Sequence, residues 1–481
     1  MKSIWVENVE IERRDALEQN LKTEVAVIGA GMAGILTAYL LRQNGVNCVV
    51  LEADCIGSGQ TKGTTAKITS QHGLCYAALV QRFGIDLARQ YGAANEQAIA
   101  QYRAIITDQG IDCDFAQKRA YVYATEDVEK LKCETKVAAA LGLPATFSPR
   151  INLPFSTVGA VCFDQQAQFH PMKFLKAVSQ DLRIYEKSPV QLVEAHTLHV
   201  GGHTVTAQKV VFTTHFPFVN SPGFYFARMY QSRAYSIALQ NAALLDGIYV
   251  DANEDGLSFR NAENLLILCG MDHRTGENSE GGRYKALQVT ARALYPNSFE
   301  VAHWSAQDCM TADLVPYIGN YCASTPDWFV ATGFNKWGMS TSMVAAQILT
   351  DRILGRDNAY AQVFSPQRFN IATAVEVAKG GGQAIKGLSR QNLTIPQTTL
   401  DELPAEHGGV VDSGNDKVGV YLDENRQAYL VNTRCPHLGC QVEWNPDEKS
   451  WDCPCHGSRF DIHGQLIDNP AQRDLLEKAQ T

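Results

Sequence analysis

The sequence has no long apolar run. None of its segments reaches the roughly 18 to 20 consecutive apolar residues that a membrane-spanning helix needs. The first 20 residues contain five acidic side chains and no apolar segment, so neither a signal peptide nor an N-terminal anchor is expected. These absences predict a protein without a membrane span, and the cytoplasm is its default location.

Positive charge is also scarce. The chain has 42 Lys and Arg against 51 Asp and Glu, a net charge of −9, and the basic residues are not concentrated in any patch. Binding to a phosphate backbone would require such a patch. Nucleic acid is therefore not an expected partner.

The length and the cysteine content set the next bounds. With 481 residues the chain is too long for a single core and should form two or three domains. Nine of its 13 cysteines are scattered at irregular spacing and are expected to be buried thiols rather than a disulfide framework. The other four stand together near the C-terminus.

These four cysteines form a compact motif with two histidines. The sequence reads Cys435-Pro-His437-Leu-Gly-Cys440 and, after 12 further residues, Cys453-Pro-Cys455-His456-Gly-Ser458. A Cys-x-His pair and a Cys-x-x-His pair supply two thiolates and two imidazoles, the ligand set of a Rieske [2Fe–2S] centre. We predict that Cys435 and Cys453 bind one iron and that His437 and His456 bind the other.

The remaining two cysteines of the motif occupy matching places in its two loops. A disulfide between Cys440 and Cys455 would tie these loops together over the cluster. A structural Cys₂His₂ zinc site is the alternative, but zinc gives no reason for a second cysteine in each loop. The segment from about Leu393 to Leu476 resembles the Rieske domains of respiratory and related proteins, and this resemblance implies that the Ser458 hydroxyl donates to a bridging sulfide.

A glycine motif near the N-terminus indicates a dinucleotide site. A buried strand from Glu24 leads into Gly29-Ala-Gly31-Met-Ala-Gly34 and a helix, and a second strand ends at Glu52. In such a motif Gly29 permits the tight turn, Gly31 lets the backbone approach a pyrophosphate, and Gly34 allows close packing. Glu52 would bind a ribose, and the helix N-terminus would face the phosphates.

Two further segments favour FAD over NAD. A long glycine- and threonine-rich loop, 56–67, suits an extended cofactor, and we expect Thr64 and Thr65 to contact it. A late strand, glycine turn and helix run from Trp328 to about Leu354. From about Thr23 to Leu354 the chain resembles the FAD-dependent oxidoreductases of the D-amino-acid oxidase and glycine oxidase type. The resemblance implies that the late turn lies against the flavin, with contacts from Gly333, Phe334, Trp337, Gly338 and Met339.

The predicted fold class is an α/β, Rossmann-like FAD-binding domain with an antiparallel-sheet substrate domain, followed by a small all-β Rieske domain. Residues 74–142 are predicted to be largely helical. The predicted divisions are a polar leader at 1–22, an oxidoreductase domain at 23–385, a linker at 386–392 and a Rieske domain at 393–481. Within the oxidoreductase domain, the FAD-binding parts are about 23–70, 170–220 and 305–355, and the substrate part is about 225–304.

The function follows from combining the two predicted cofactors. No second Gly-x-Gly-x-x-Gly motif occurs between residues 140 and 330, so an NAD(P)H domain is not expected. The sequence also lacks the two histidines and one carboxylate of an oxygenase iron site on a domain after the cluster, because only 25 residues follow His456. Electrons should therefore enter from a small organic substrate.

By the family resemblance, that substrate is an amine or an amino acid. The flavin would pass electrons singly through the cluster to an external acceptor, a protein or a quinone. A redox-sensing or electron-relay protein and a CH–OH dehydrogenase remain alternatives. The candidate residues are Trp337 and Met339 at the flavin ring, Lys67 as a polar contact to the ring, and Arg233 and Tyr235 as a clamp for a substrate carboxylate.

Overall fold

The computed structural model describes residues 2–368, 402–412 and 417–476. The predicted linker at 386–392 lies outside these residues. No helix of the described part is both long and apolar enough to cross a lipid bilayer.

The described chain contains eight α-helices and 24 strands. The helices are α1 (Met32–Gln43), α2 (Tyr76–Phe83), α3 (Ile85–Asp108), α4 (Val128–Ala140), α5 (Pro171–Val178), α6 (Arg283–Leu294), α7 (Gly338–Ile353) and α8 (Ala361–Phe364). The strands of the first 368 residues are β1 (Leu21–Ile28), β2 (Cys48–Leu51), β3 (Lys67–Ile68), β4 (Ala116–Ala124), β5 (Ala145–Ser148), β6 (Gly159–Gln168), β7 (Ile184–Tyr185), β8 (Val190–Glu194), β9 (Thr197–Val200), β10 (His203–Phe212), β11 (Met229–Gln240), β12 (Gly247–Asp251), β13 (Ser258–Ala262), β14 (Leu265–Arg274), β15 (Phe299–Thr311), β16 (Tyr317–Asn320) and β17 (Trp328–Thr332). The later strands are β18 (His407–Asp412), β19 (Lys417–Leu422), β20 (Ala428–Asn432), β21 (Glu443–Asn445), β22 (Ser450–Asp452), β23 (Arg459–Phe460) and β24 (Leu466–Asp468).

The first sheet has the order β16-β17-β10-β1-β2-β7, with β8 and β9 attached through β10. Strand β1 lies in the middle and pairs in parallel with both β2 and β10. Its last four residues, Val-Ala-Val-Ile, are all buried, as expected for a strand covered on both faces. Helices α1 and α7 pack against each other beside this sheet. The Rossmann-like FAD-binding fold predicted from the glycine motif is confirmed.

The second sheet has nine strands in the order β15-β11-β14-β13-β12-β4-β6-β3, with β5 paired to β6. It is larger than the predicted substrate part. The largely helical pattern expected for 74–142 misses β4, because that strand is held by β6 and β12, whose residues are distant in sequence. The predicted boundary near residue 304 falls inside β15, a long strand that reaches from the substrate side to the FAD side.

The N-terminal segment is part of the fold rather than a loose leader. Trp5 is 2% exposed, and its indole nitrogen donates to the Thr64 carbonyl at 2.6 Å. Leu17 is also buried, and its amide donates to Ser188 Oγ at 2.9 Å. The polar composition of residues 1–22 concealed these two apolar anchors.

The C-terminal part consists of two small antiparallel sheets, β18-β19-β20 and β21-β22-β23-β24. The loop of Cys435 to Cys440 joins β20 to β21, and the loop of Cys453 to Ser458 joins β22 to β23. Both loops lie against the first 368 residues: Gln231 on β11 donates to the His456 carbonyl, and Asn220 contacts His437. The all-β fold class predicted for this part is confirmed.

Candidate functional site

The turn after β1 is built from the predicted glycines and from Glu52. The Glu52 carboxylate accepts from the Ala30 amide at 2.6 Å and from the Asp54 amide at 2.9 Å, and burial raises its pKa above the ordinary carboxyl value. At the start of α1, the Met32 amide donates to Thr61 Oγ1 at 3.0 Å. The loop at 56–67 is thereby attached to the first turn of α1.

The space in front of α1 fits the phosphates of a dinucleotide. No side chain caps the helix at Gly31, and its first turn has no acidic residue, which leaves backbone N–H groups for an anion. A Cβ on Gly31 would meet only Thr61 Oγ1, at 3.4 Å. The protein alone therefore does not require glycine there, whereas close approach of a pyrophosphate does.

One cavity of about 1960 Å³ connects this turn to the other predicted FAD residues. Thr64 and Thr65 line it, and so does the late turn that precedes α7. A cavity that joins a dinucleotide turn to the late turn before α7 is what FAD needs. The predicted cofactor residues along its wall are Gly29, Gly31, Glu52, Thr64, Thr65, Gly333, Phe334, Trp337, Gly338 and Met339.

Gly34 does not line the cavity but belongs to the same turn. A Cβ there would lie 1.9 Å from the Gly29 carbonyl oxygen, as expected for a glycine that allows close packing of helix and strand.

Aromatic contacts fix the late turn. Trp337 stacks on His72 with ring centroids 4.8 Å apart and an interplanar angle of 13°. The Met339 carbonyl accepts from the Tyr102 hydroxyl at 2.9 Å. Burial lowers the pKa of His72 to about 3, so this ring is neutral and serves as a packing surface for Trp337.

Four charged side chains form a second feature of the cavity, and we call Lys67, Asp272, Asp308 and Lys336 the cavity cluster. Lys67 Nζ donates to Ser258 Oγ at 2.9 Å and to Thr65 Oγ1 at 3.1 Å, while Lys336 pairs with Asp272. Burial lowers the pKa of Lys67 to about 8 and raises the pKa of Asp308 to about 6. Both shifts favour the uncharged form of the side chain, and such shifts are typical of groups that bind or transfer protons.

Of the two candidates for a carboxylate clamp, Arg233 also lines this cavity and Tyr235 does not. The Arg233 guanidinium donates to Glu448 Oε2 at 2.6 Å, and its side chain is 3% exposed. The Tyr235 hydroxyl lies 3.0 Å from His273 Nε2 and 3.5 Å from Asn445 Nδ2. Because Glu448 and Asn445 belong to the C-terminal part, both candidates are used in the contact between the two parts of the chain. Both side chains thus already have protein partners, and their role as a clamp stays a prediction.

The predicted cluster ligands come together at the contact between the two parts. Cys435 and Cys453 are each 1% exposed, and their thiols lie within hydrogen-bonding reach of each other. The rings of His437 and His456 have centroids 4.9 Å apart and are nearly perpendicular.

The donor set fits a [2Fe–2S] cluster. The Nδ1 atoms of His437 and His456 are buried and have no hydrogen-bond partner in the described structure. Burial lowers the pKa of His437 to about 4 and that of His456 to about 3, so both imidazoles are neutral, as metal ligation requires. Two thiols and two unpartnered imidazole nitrogens are what the prediction needs, and the assignment of these four ligands stays a prediction.

The structure joins Cys440 and Cys455 by a disulfide. The sulfurs of Cys440, Cys453 and Cys455 lie within 4.8 Å of one another and could be mistaken for a metal site. A disulfide sulfur is not a thiolate, however, so Cys440 and Cys455 cannot serve as thiolate ligands. Ser458 Oγ accepts from the Ala471 amide at 2.9 Å, and its hydroxyl hydrogen-bonds to the Cys435 thiol. Its hydrogen bond to a bridging sulfide stays a prediction.

The cavity and the C-terminal part share a wall, which the sequence did not indicate. Glu448, Asp468 and Asn469 of the C-terminal part line the same cavity as the dinucleotide turn. Asn469 Nδ2 donates to the Thr214 carbonyl at 2.7 Å and to the Phe216 carbonyl at 2.8 Å. No spacing pattern pointed to these residues, because they meet only when the two parts of the chain pack together.

Comparison with known families agrees with the two sites. Residues 24–352 match the family of FAD dependent oxidoreductases known as DAO, and residues 395–478 match the Rieske [2Fe-2S] domain. A Bacillus subtilis (strain 168) protein, named "Putative Rieske 2Fe-2S iron-sulfur protein YhfW", is 32% identical over 98% of this chain and 96% of its own length. The cytochrome b6-f complex iron-sulfur subunit of Synechococcus elongatus is 33% identical over 20% of this chain and 54% of its own length.

Solved structures resemble the oxidoreductase part in fold. Glycine oxidase from Geobacillus kaustophilus has a TM-score of 0.61 at 18% identity and covers 73% of this chain and 100% of its own. L-amino acid deaminase from Proteus vulgaris, in a form lacking its specific insertion, has a TM-score of 0.61 at 18% identity and covers 76% of this chain and 98% of its own. The chain therefore belongs to the DAO family of FAD-dependent oxidoreductases and carries a C-terminal Rieske [2Fe–2S] domain.

Proposed function

We propose that the protein is a dehydrogenase that oxidises a small amine or amino acid and passes the electrons singly through the Rieske cluster to an external acceptor. The observation that carries this proposal is the shared wall: Glu448, Asp468 and Asn469 of the Rieske domain line the flavin cavity. The domain that would hold the cluster thus borders the flavin cavity, and a cluster there would offer the electrons an exit within the same chain.

The cavity cluster supports the substrate class. An amino acid carries one positive and one negative group, and the cavity provides an acid and a base that interact electrostatically, Asp308 and Lys67. Lys67 donates to two hydroxyls, so it keeps hydrogen-bonding capacity for a substrate carboxylate. This role replaces the one first assigned to Arg233, whose guanidinium is used by Glu448.

Asp308 would act on the substrate nitrogen. FAD supplies the hydride acceptor when bound. An amine gives up a hydride from the neighbouring carbon more readily once the nitrogen has lost its extra proton. With a pKa of about 6, the Asp308 carboxylate is ionised at neutral pH, yet basic enough to hold the ammonium group and accept that proton.

The test is anaerobic bleaching of the flavin by a panel of amines, amino acids and 2-hydroxy acids, with the cluster followed by electron paramagnetic resonance (EPR). We expect an amine or amino acid to reduce both centres. Reduction by hydroxy acids alone would identify a CH–OH dehydrogenase, and reduction by a protein donor alone would identify an electron relay. A flavin that bleaches while the cluster stays oxidised would contradict the proposed electron path.

A further inference from the structure

A layer of two amide side chains separates the flavin cavity from the cluster loops. Gln231 on β11 and Gln307 on β15 are 2% and 0% exposed. Gln231 Nε2 donates to the His456 carbonyl at 2.6 Å, and Gln307 Nε2 donates to the Gly457 carbonyl at 2.8 Å. Both amides therefore bind the backbone of the loop that holds two predicted cluster ligands, Cys453 and His456.

The same layer reaches the cavity on its other side. Gln231 Oε1 lies 3.0 Å from His215 Nε2 and accepts from Gln307 Nε2 at 2.7 Å, and His215 lines the cavity. The partners fix the orientation of the Gln231 amide, because exchanging its oxygen and nitrogen would set two acceptors against each other at the His456 carbonyl. One side chain thus spans the distance from the cavity wall to the cluster loop.

The contact is tight and is held from both domains. A Cβ on Gly457 would lie 2.7 Å from Gln231 Cβ, and the residue has φ +79°, so only glycine suits this close approach. From the Rieske side, the hydrogen bonds of Asn469 to the carbonyls of Thr214 and Phe216 hold the peptide groups around His215. His215, Gln231 and His456 are therefore fixed relative to one another.

The second predicted histidine ligand has a different environment. His437 Nε2 lies 2.8 Å from Asn220 Oδ1, and Asn220 does not line the cavity. The two histidines are thus distinguished by what they contact: His456 is joined to the flavin cavity through Gln231, and His437 is joined to a loop outside it.

We propose that Gln231 is the positioning residue for electron transfer, and that electrons from the flavin enter the cluster through His456 by way of His215 and Gln231. Each transfer removes one electron from the reduced flavin and converts one Fe³⁺ of the cluster to Fe²⁺. The second electron follows once an external one-electron acceptor has reoxidised the cluster, and the proton left on the flavin is released through the cavity. The inference rests on the proposed transfer from flavin to cluster but not on the identity of the substrate.

The experiment measures electron transfer within the holoprotein without a substrate. A light flash on anaerobic protein with 5-deazariboflavin supplies single electrons, and the redistribution between flavin and cluster is followed by absorbance. A rate independent of protein concentration identifies transfer within one molecule. The variants are Gln231→Met, which removes the amide, and Gln231→Asn, which keeps an amide but shortens it by one methylene.

The matched control is Asn278→Met. Asn278 is also a buried amide at the interface, and it donates to Asn445 at 3.0 Å and to Asp447 at 2.9 Å, away from the cluster loops. We expect both Gln231 variants to slow the transfer by at least several-fold while the EPR spectrum and the FAD content stay unchanged. Asn278→Met should leave the rate as in the wild type.

Two results would overturn the inference. An unchanged rate in Gln231→Asn with both cofactors bound would show that electrons take another route, and an equal loss in Asn278→Met would show that only general docking matters. If the wild type itself shows no transfer within one molecule, the proposed function fails instead. Should Gln231→Met lose a cofactor, the shorter amide of Gln231→Asn still decides the question.

Discussion

Two groups of charged residues lie close together and behave in opposite ways. At the domain interface, Arg233 and Arg459 contact Glu448 and Asp468 directly, with distances from 2.6 to 3.8 Å. The arginines lower the pKa of Glu448 to about 2 against the opposing effect of burial, and they lower the pKa of Asp468 as well. The ionised forms of Glu448, Asp468 and Arg459 are thus favoured in this interface cluster, which also includes Asp452.

In the cavity cluster the pKa shifts of Lys67, Asp272 and Asp308 favour the uncharged forms instead, whereas Asp272 holds the pKa of Lys336 above its ordinary value against the effect of burial. Burial raises the pKa of Asp308 to about 6 and lowers that of Lys67 to about 8, and no direct opposite charge compensates either group among the described ion pairs. The interface cluster fixes the two domains relative to each other, whereas the cavity cluster can change its protonation during a reaction. Perturbed pKa values of this kind make the cavity cluster the better candidate for a functional site.

The largest expected effect is complete loss of one cofactor while the other cofactor site stays intact. Gly31→Val should abolish FAD binding, because its side chain would occupy the approach of the pyrophosphate, while the protein itself leaves room for a Cβ there. The interface cluster and the Rieske spectrum should persist. The measurement is the ratio of FAD to iron after gel filtration, with Cys453→Ser as the reciprocal variant that loses the cluster and keeps FAD. Stoichiometric FAD in soluble Gly31→Val would refute the assignment of this turn.

The next effect tests the interface cluster. Glu448→Gln removes one of the two carboxylates that Arg233 and Arg459 share and leaves only Asp468, and breaking a buried ion pair costs about 3–5 kcal/mol. Urea unfolding followed through cluster absorbance should show this loss. The control is Lys449→Gln on the same hairpin, which removes an exposed pair with Glu406 that should contribute about 0–1 kcal/mol.

The interface cluster also predicts a dependence on pH. Because the pKa of Glu448 is lowered from 4.5 to about 2 in the folded protein, its contribution to stability is complete above pH 4.5 and is lost as the pH falls toward 2. Glu448→Gln should show no such loss in this range. Equal acid sensitivity in the variant and the wild type would mean that other carboxyl groups control the docking.

The cavity cluster predicts a dependence of stability on pH with the opposite sign. The pKa of Asp308 is raised from 3.8 to about 6, so ionisation of this group destabilises the fold as the pH rises through that interval. Lys336, Asp272, Arg233 and Lys67 all act electrostatically on this carboxyl group. Asp308→Asn should therefore raise the melting temperature at pH 7 relative to the wild type, and the gain should vanish below pH 4.

The same variant should be a poor enzyme. A hydrogen bond to a charged group contributes about 1.5–3 kcal/mol, so losing the one to a substrate ammonium should lower kcat/KM roughly ten- to hundredfold. In the wild type, kcat/KM should rise as Asp308 ionises near pH 6 and fall as Lys67 loses its proton near pH 8. In Asp308→Asn the rise of kcat/KM near pH 6 should be absent while the fall near pH 8 remains. A rise near pH 6 in this variant would assign that ionisation to another group.

The sequence predicted a region well when its residues are close together along the chain and poorly when they come from distant segments. The Rieske domain and the cofactor classes could be predicted because the motif from Cys435 to Ser458 is one continuous segment, and the glycine turn at Gly29 is another. The cavity cluster comes from four separate strands and turns, so Asp308 and Asp272 carried no recognisable pattern. Arg233 was assigned to a substrate because nothing in the sequence showed that Glu448 would pack against it.

The smallest expected effect concerns the reduction potential of the [2Fe–2S] cluster, and it leaves the interface cluster and the cavity cluster unchanged. Phe460 is fully buried and packs in the same apolar cluster as Cys435 and Cys453. By the resemblance to high-potential respiratory Rieske domains, a tyrosine at this position would donate its hydroxyl to a cluster-ligand sulfur. A phenylalanine cannot do so, which should place the potential below the top of the roughly −150 to +300 mV range of these centres.

Phe460→Tyr should therefore raise the potential. A hydrogen bond to a charged acceptor contributes about 1.5–3 kcal/mol, but only its increase on reduction of the cluster matters. At about 59 mV per tenfold change for one electron, the expected rise is several tens of millivolts. An anaerobic redox titration followed by EPR measures it, with Phe460→Met as the control for altered packing without a donor. A rise in both variants would attribute the shift to packing, and no rise in Phe460→Tyr with an intact spectrum would mean that residue 460 does not reach a cluster-ligand sulfur.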